Sequence, residues 1–280
     1  MSLEPEPLNP EPEPQHPAPR TQNHTCVLLL FWTFAFASAA SAQSYRPIVD
    51  HVHLAAPDPA AAVAWYQKYF GGKTMAEGTD RFLLGDVRVI FSRREKTLPS
   101  QGSAVDHIGF SVANLDETMK AFQADGVKIT TPARDVPGLF PLAFIEDPWG
   151  TRIEVVQDSA GLGVHHIHLR GADPAAMLEW YSTQFGGRVA KLKDRIDGID
   201  MSGVWILAQR GDAVPTAGHS IDHIGFRPVD VDASVALLKT RNVKITTEPR
   251  PLSFPNGVTV RLAFAEAPDG VRIELVQRPE

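Results

Sequence analysis

Apolar and polar side chains alternate along several short segments of the chain, a period of two that is typical of strands with one buried face. In residues 48–55, Val52 and Leu54 fall on one face, and His51 and His53 fall on the other. Between such segments, apolar residues recur three and four positions apart, which predicts amphipathic helices. The pattern therefore predicts sheets with helices on the apolar side and histidines on the polar side.

The order strand, helix, strands recurs four times from Tyr45 onward, at a spacing of roughly 50 to 60 residues, which marks a repeated supersecondary unit. Asp58-Pro59 and Asp173-Pro174 provide an N-cap and a first-turn proline for the first and third helices. Gly71-Gly72 and Gly186-Gly187 end the same two helices. We therefore predict an α+β chain of four similar units.

A histidine-bearing strand is duplicated almost unchanged, at 105–110 and again at 221–226. Two histidines and one glutamate recur on the polar faces of both halves. The two trios are His51, His107 and Glu154 in the first half, and His166, His223 and Glu274 in the second. Taken singly, each residue could simply face water, but the recurrence favours a function. Two imidazoles and a carboxylate suit a first-row divalent ion and leave positions open for substrate.

The strand register leaves some choices open. His53 lies on the same face as His51, and His168 on the same face as His166. The spacing to the following helix favours His51 and His166 as ligands. His53 and His168 are candidates for a general base, for a group that supports the ligands, or for solvent-facing histidines. The alternation places His165 on the opposite face, outside the site.

The glycines at 109 and 225 follow the duplicated histidines on the same face. A glycine at such a place leaves room above the sheet, and we expect a ligand to use it.

The N-terminus has a different composition. Residues 1–19 are rich in Pro and Glu and are predicted to be a disordered leader. Residues 20–42 contain an apolar run closed by small residues, which predicts an export signal peptide. An uncleaved membrane anchor is the less favoured alternative, because the apolar run is shorter than the roughly 20 residues of a spanning helix. The protein is therefore expected to be exported, with no membrane contact after signal cleavage.

The composition argues against a nucleic-acid partner and against a thiolate metal site. The formal net charge is −6, and no run of Lys and Arg is interleaved with aromatics, so nucleic acid is not expected as a partner. The single cysteine lies in the N-terminal apolar run, so the folded part has no thiolate site.

Residues 46–277 resemble the vicinal oxygen chelate superfamily, which includes glyoxalase I, extradiol dioxygenases, fosfomycin-resistance enzymes and bleomycin-binding proteins. The resemblance rests on Asp50–Leu54 with the helix that follows, on Asp106–Phe110, on Glu146–Glu154, and on their second-half partners. It implies tandem βαβββ modules, four in total, that form two cup-shaped half-barrel domains, 46–157 and 163–277. It also implies a divalent metal ion, Fe²⁺, Mn²⁺, Zn²⁺ or Ni²⁺, held by the two trios. The implied partner is a small substrate with two adjacent oxygens, bound by a monomer or homodimer.

The chain departs from the residue patterns of two well-known families within this superfamily. Glyoxalase I adds a second glutamate from the strand corresponding to 87–91 or 203–207, and neither segment contains an acid. Extradiol enzymes have a His and a Tyr shortly before the Asp-Pro turn, where this chain has Phe144 and Phe264 and no histidine. We expect a glyoxalase-like isomerase or lyase in which the metal acts as a Lewis acid. An Fe²⁺ extradiol dioxygenase and a non-catalytic binding protein of the bleomycin-resistance type are the alternatives.

Arg152 and Arg272 are candidates to hold an anionic group of the substrate. The simpler interpretation of both is a surface arginine beside a glutamate.

Overall fold

The computed structural model describes residues 45–279, with side chains from residue 48 onward. The predicted leader, 1–19, and the predicted signal peptide, 20–42, lie outside the described residues. Within the described part of the chain, no helix has the length and apolar character that crossing a membrane requires.

Four units follow one another along the chain. The first contains β1 (Tyr45–Ala56), α1 (Pro59–Phe70), β2 (Lys73–Met75), β3 (Gly78–Leu84) and β4 (Val87–Arg93). The second contains β5 (Val105–Ser111), α2 (Leu115–Ala124), β6 (Lys128–Arg134), β7 (Leu142–Glu146) and β8 (Arg152–Val156). The third contains β9 (Gly163–Gly171), α3 (Pro174–Phe185), β10 (Arg188–Leu192), β11 (Ile196–Met201) and β12 (Val204–Arg210). The fourth contains β13 (Ile221–Pro228), α4 (Val231–Thr240), β14 (Lys244–Ser253), β15 (Thr259–Glu266) and β16 (Arg272–Gln277).

The predicted helix signals are confirmed. The Asp58 carboxylate accepts hydrogen bonds from the backbone N–H groups of Ala60 and Ala61 at 3.0 and 3.2 Å. Gly71 ends α1 with a φ of 74°, a conformation that favours glycine. Asp173 and Gly186 begin and end α3 in the same way.

The apolar pattern gives little signal for the edge strands β6 and β14, which are mostly exposed. Pro132 lies in β6, and Pro249 and Pro251 lie in β14. Proline lacks the N–H that an interior strand must donate, so its presence fits a strand at the edge of a sheet.

The strands form two eight-stranded sheets, and each sheet combines units from both halves of the chain. The first sheet has the order β14-β15-β16-β13-β1-β4-β3-β2 and therefore joins the first and fourth units. The second has the order β10-β11-β12-β9-β5-β8-β7-β6 and joins the second and third units. The α+β class with four βαβββ modules in two cups is confirmed.

The expected pairing of units within each half needs correction. Segments 46–157 and 163–277 do not each close one cup, because β1 pairs antiparallel with β13, and β5 with β9. All four units begin with a similar strand, so the sequence pattern itself does not determine which two of those strands pair.

The apolar sides of both sheets contribute to one core. The ring of Phe70 on α1 stacks on Phe110 in the second sheet, with centroids 4.4 Å apart. Phe185 on α3 stacks on Phe226 in the first sheet at 4.2 Å. Each of these helices thus packs on its own sheet and also contacts the other sheet.

One buried polar contact distinguishes the two halves. The Tyr66 hydroxyl donates to the Asp147 carboxylate at 2.7 Å, and both residues are buried. Burial raises the pKa of Asp147 to about 6, although hydrogen bonds from Tyr66 and the backbone oppose this rise. In the second half Ala267 replaces the aspartate, and the buried Tyr181 hydroxyl has no hydrogen-bond partner.

We therefore expect Tyr66→Phe to lower the free energy of unfolding by about 1–3 kcal/mol, because it removes a donor from a buried carboxyl group. Tyr181→Phe should cost nothing or stabilise the protein.

Because the folded-state pKa of Asp147 is raised, its contribution to stability is present at low pH and is lost as the pH rises through about 6. The Tyr66→Phe cost should grow over that same range. Urea unfolding at pH 5 and pH 8 measures both effects, and equal losses in the two variants would contradict this account.

Candidate metal centres

Two rows of side chains cross the sheets where units from different halves meet. In the first sheet, Gly225 on β13 is in register with His51 on β1 and with Glu274 on β16. The second sheet repeats this row with Gly109 between His166 and Glu154. Each row therefore places an imidazole and a carboxylate on either side of a glycine.

One additional residue interrupts the strand pairing directly before each of four histidines. Between the pairs Val49–Phe226 and His51–Gly225, for example, Asp50 has no partner on β13. The four residues in such bulges are Asp50, Asp106, His165 and Asp222. A bulge breaks the strict alternation of faces, so these side chains reach the ring of the histidine that follows. The expectation that His165 lies outside the site is therefore wrong. Strict alternation would also place Asp106 on the apolar face, and the bulge turns it toward His107 instead.

The first cluster consists of His51, His223 and Glu274, with His53 beside them. The Nε2 atoms of His51 and His223 lie 3.3 and 2.9 Å from the same oxygen, Glu274 Oε2. On the other edges of the rings, Nδ1 of His51 lies 3.0 Å from Asp50, and Nδ1 of His223 lies 2.6 Å from Asp222. Carboxylates behind imidazoles fix the tautomer and direct Nε2 toward a bound metal.

The second cluster consists of His107, His166 and Glu154, with His168 beside them. Both Nε2 atoms lie 3.2 Å from Glu154 Oε2. Asp106 accepts from His107 Nδ1 at 2.8 Å, as in the first cluster. Behind His166, however, the partner is the Nδ1 atom of His165, also at 2.8 Å.

The six predicted ligands thus come together, but not in the predicted trios. His51 lies with His223 and Glu274 instead of His107 and Glu154. His166 correspondingly joins His107 and Glu154. The exchange follows from the pairing of β1 with β13 and of β5 with β9.

The glycines make room for histidine rings. A Cβ atom on Gly225 would lie 2.0 Å from Cε1 of His51, and one on Gly109 would lie 2.1 Å from Cε1 of His166. Both distances are far below van der Waals contact. The space that we expected a ligand to occupy is therefore filled by the imidazole from the other half of the chain.

His53 and His168 lie within the clusters themselves, close enough to take part in binding a metal ion. In each cluster, one potential ligand atom from every one of the four side chains lies within 4.8 Å of the others. The Nδ1 atoms of His53 and His168 are buried without a hydrogen-bond partner. Geometry thus allows either residue to act as a fourth ligand or as a base, and their role stays a prediction.

Burial and neighbouring charges set the protonation states of the clustered side chains. Burial opposes ionisation of Glu274 and Glu154, yet the facing histidines hold the pKa of each carboxyl far below its usual range. Burial lowers the pKa of His53 and His168 well below the usual value, and the neighbouring imidazoles add to this effect. At neutral pH the carboxylates are ionised, and His53 and His168 are neutral and able to ligate a metal or accept a proton.

Burial also opposes charge on His51 and His107, but the adjacent carboxylates outweigh it and raise the pKa of both.

Both donor sets fit a first-row divalent ion. Nε2 of His51 and of His166 is buried and makes no hydrogen bond, although a carboxylate oxygen lies nearby. Buried imidazole nitrogens without partners are costly unless something binds them. Three imidazoles and one carboxylate converging on a point form a ligand set that suits such ions.

Arg152 and Arg272 lie behind the clustered histidines and contact the aspartates that precede them. Arg152 donates to Asp106 at 2.5 Å and lies over the ring of Phe144 at 4.3 Å. Arg272 donates to Asp222 at 2.6 Å and lies over Phe264 at 4.0 Å. Both guanidinium groups are therefore engaged with the aspartates that orient the histidines, and neither is a simple surface neighbour of glutamate.

Apolar side chains form a wall beside each cluster. In the first cup, the buried members are Val260, Leu262, Phe264 and Val276. In the second cup, they are Phe140, Leu142, Val156, Leu192 and Leu207. Phe264 and Phe144 contact His223 and His107 edge-on, with centroids 5.2 and 5.3 Å apart. Each donor set therefore has an aromatic ring and an apolar cluster beside it.

Solved structures with the same fold include glyoxalase I from Zea mays. It is 18% identical to this chain, with a TM-score of 0.61, over 82% of this chain and 92% of the maize chain. A candidate dioxygenase from Bacillus subtilis subsp. subtilis str. 168 is 12% identical, with a TM-score of 0.58, over 85% and 87% of the two chains. At these identities the similarity concerns the fold alone. A search of curated proteins found no match.

A family model matches both halves of the chain, at residues 48–155 and 163–275. The matched segments cover most of the described residues and contain every member of both clusters. On this ground, the chain belongs to the Glyoxalase/Bleomycin resistance protein/Dioxygenase superfamily.

Proposed function

We propose that the protein is a divalent-metal-dependent enzyme that binds a small substrate through two adjacent oxygens. Each cluster would hold one metal ion. The observation that carries the proposal is the convergence of two Nε2 atoms on one glutamate oxygen, in a buried setting where one of those nitrogens has no hydrogen bond. The second cluster has the same arrangement.

The residues of the first cluster have distinct roles in this proposal. His51, His223 and Glu274 hold the ion, and Asp50 and Asp222 orient the two rings. A bound divalent ion would act as a Lewis acid on substrate oxygens. The lowered pKa of His53 keeps its imidazole neutral, so it can accept a proton from a substrate held in the cup. His168 has the same part in the second cluster.

The apolar walls support an organic substrate with a small apolar body. A carbonyl next to a hydroxyl, or two neighbouring hydroxyls, would present two oxygens to the ion while the remainder packs on Phe264 or Phe144. Such packing excludes water and strengthens the electrostatic interactions in the site.

For the reaction we propose a glyoxalase-like isomerisation or lyase step, which needs a Lewis acid and a nearby base. A neutral His53 or His168 meets the second need. An Fe²⁺ extradiol dioxygenase is the second candidate, supported by the presence of four modules in one chain. Phe144 and Phe264 argue against it, because a phenyl ring cannot donate or accept a proton.

A non-catalytic binding protein is the candidate from another class. The two complete donor sets and their supporting aspartates argue against it, because a purely apolar binding cup has no need for either.

We also propose that the protein is exported, on the apolar run and small residues of 20–42. N-terminal sequencing of the protein recovered from outside the cytoplasm tests this proposal. A mature N-terminus near residue 43 would support it, and an N-terminus that retains 1–19 would contradict it.

We expect purified protein to contain two equivalents of a divalent metal, one for each cluster. Removal by a chelator should abolish activity and lower Tm, and metal return should restore both. At about 100 times its Kd, a metal that binds only the folded state stabilises each site by about 2.7 kcal/mol. Metal content measured by elemental mass spectrometry, with thermal unfolding before and after stripping, checks this expectation.

Two substrate classes separate the candidate reactions. Turnover of hemithioacetals of 2-oxoaldehydes would support the isomerase, and ring-opened catechols with bound iron would support the dioxygenase. Tight binding of an aromatic ligand by metal-free protein, with no turnover, would favour the binding protein.

A further inference from the structure

The four bulges differ in one respect. Aspartate precedes the ligand histidine at three of them, and histidine occupies the fourth, at position 165. His165 is 7% exposed, and its Nδ1 lies 2.8 Å from Nδ1 of His166. Its other nitrogen, Nε2, lies 3.3 Å from Asp158 Oδ2. Asp158 in turn accepts from Lys193 Nζ at 2.7 Å.

This chain of contacts permits only one arrangement of protons when both imidazoles are neutral and His166 directs a lone pair into the cluster. Nε2 of His166 then carries no hydrogen, so its Nδ1–H donates to Nδ1 of His165. The remaining hydrogen of His165 lies on Nε2 and faces the Asp158 carboxylate. Lys193 fixes that carboxylate in place.

We propose that His165 is a positioning residue for the second cluster: with Asp158 behind it, it holds His166 in the tautomer that binds a metal through Nε2. The inference rests on the proposed metal-binding function. In the second cluster, the orientation of His166 then depends on the neutral imidazole of His165. In the first cluster, the orientation of His51 depends on the carboxylate of Asp50. Partners behind a metal ligand typically change metal affinity by about 10- to 100-fold when they are removed.

Asn and Leu at position 165 form a matched pair for the test. Both branch at Cγ, and the Oδ1 atom of asparagine is attached where Nδ1 of histidine is attached. Asparagine can therefore accept the hydrogen from His166 Nδ1, and leucine cannot. His223→Ala in the same chain disables the first cluster, so that Zn²⁺ binding reports on the second.

In that background, we expect His165→Leu to weaken Zn²⁺ binding by about 10- to 100-fold in competition with a chromophoric chelator. His165→Asn should bind close to the parent level. Nitrogen-15 NMR of metal-free protein should show a hydrogen on Nδ1 of His166 in the parent and in the Asn variant, and mixed tautomers in the Leu variant. In the reciprocal background, with His107→Ala, His165→Leu should leave Zn²⁺ binding by the first cluster unchanged.

Three results would overturn the inference. Unchanged affinity in the Leu variant would remove the role of His165. Equal losses in the Asn and Leu variants would assign the residue to packing. Equal weakening of the first cluster would show a general effect on the fold. Absence of Zn²⁺ binding by the unmodified chain is a separate outcome, and it would reject the proposed function together with this inference.

Discussion

Replacing His51 and His107 together with alanine is expected to leave the chain without a metal ion. These residues lie in the same half of the sequence but in different clusters, so the double variant removes one ligand from each. A site that loses one imidazole keeps a single well-oriented imidazole and a carboxylate, together with the histidine that we propose as the base, His53 or His168. Metal content measured after gel filtration should fall from two equivalents to none.

The control is a double variant with the same number of lost histidines, His51→Ala with His223→Ala. Both residues belong to the first cluster, so the second should keep its ion and the chain should keep one equivalent. Circular dichroism and thermal unfolding establish that both proteins are folded. One ion retained by the His51/His107 variant, and none by the His51/His223 variant, would favour trios formed within each half.

This experiment addresses the point at which the sequence pattern is least informative. The alternation of faces and the internal repeat are sufficient to predict four similar units, the ends of α1 and α3, and the six residues that meet in the clusters. They do not predict which strands pair, because β1 could pair with β5 or with β13 and present the same faces in either case. The structure shows the outcome, in which β1 lies beside β13 and β5 lies beside β9.

The groups behind the ligands were missed for a different reason. Strict alternation assigns Asp106 to the apolar face and His165 to the wrong side of its strand. Both lie in bulges, where one extra residue changes the direction of the side chains. A signal was present in the repeated Asp-His pairs at 50–51, 106–107 and 222–223. A carboxylate is a common partner for the second ring nitrogen of a histidine that binds a metal.

The glycines in the middle of each row show how the two halves depend on one another. Gly225 belongs to the second half and accommodates His51 from the first. Gly109 belongs to the first half and accommodates His166 from the second. The sequence of one strand does not reveal either contact. In each case, the histidine of one half fits only because the other half has a glycine at the facing position.

We therefore expect Gly225→Ala to empty the first cluster and Gly109→Ala to empty the second. In Gly225→Ala the new methyl group would lie 2.0 to 2.6 Å from three ring atoms of His51. That ring is only 1% exposed, so it must move away from Glu274 or force the strands apart. Overpacking of this kind typically costs about 1–3 kcal/mol of stability. Each variant should retain one equivalent of metal, measured by elemental mass spectrometry, with a lowered Tm.

Gly161→Ala is the matched control, because a Cβ atom at that position would meet nothing within 4 Å. It should retain two equivalents of metal and the parent Tm. Combining Gly225→Ala with His107→Ala should remove both ions, since the first change disables the first cluster and the second change disables the other. Retention of two equivalents by either single glycine variant would mean that the rings can shift without leaving the ligand positions. The close fit over the glycines would then be a feature of packing and not of metal binding.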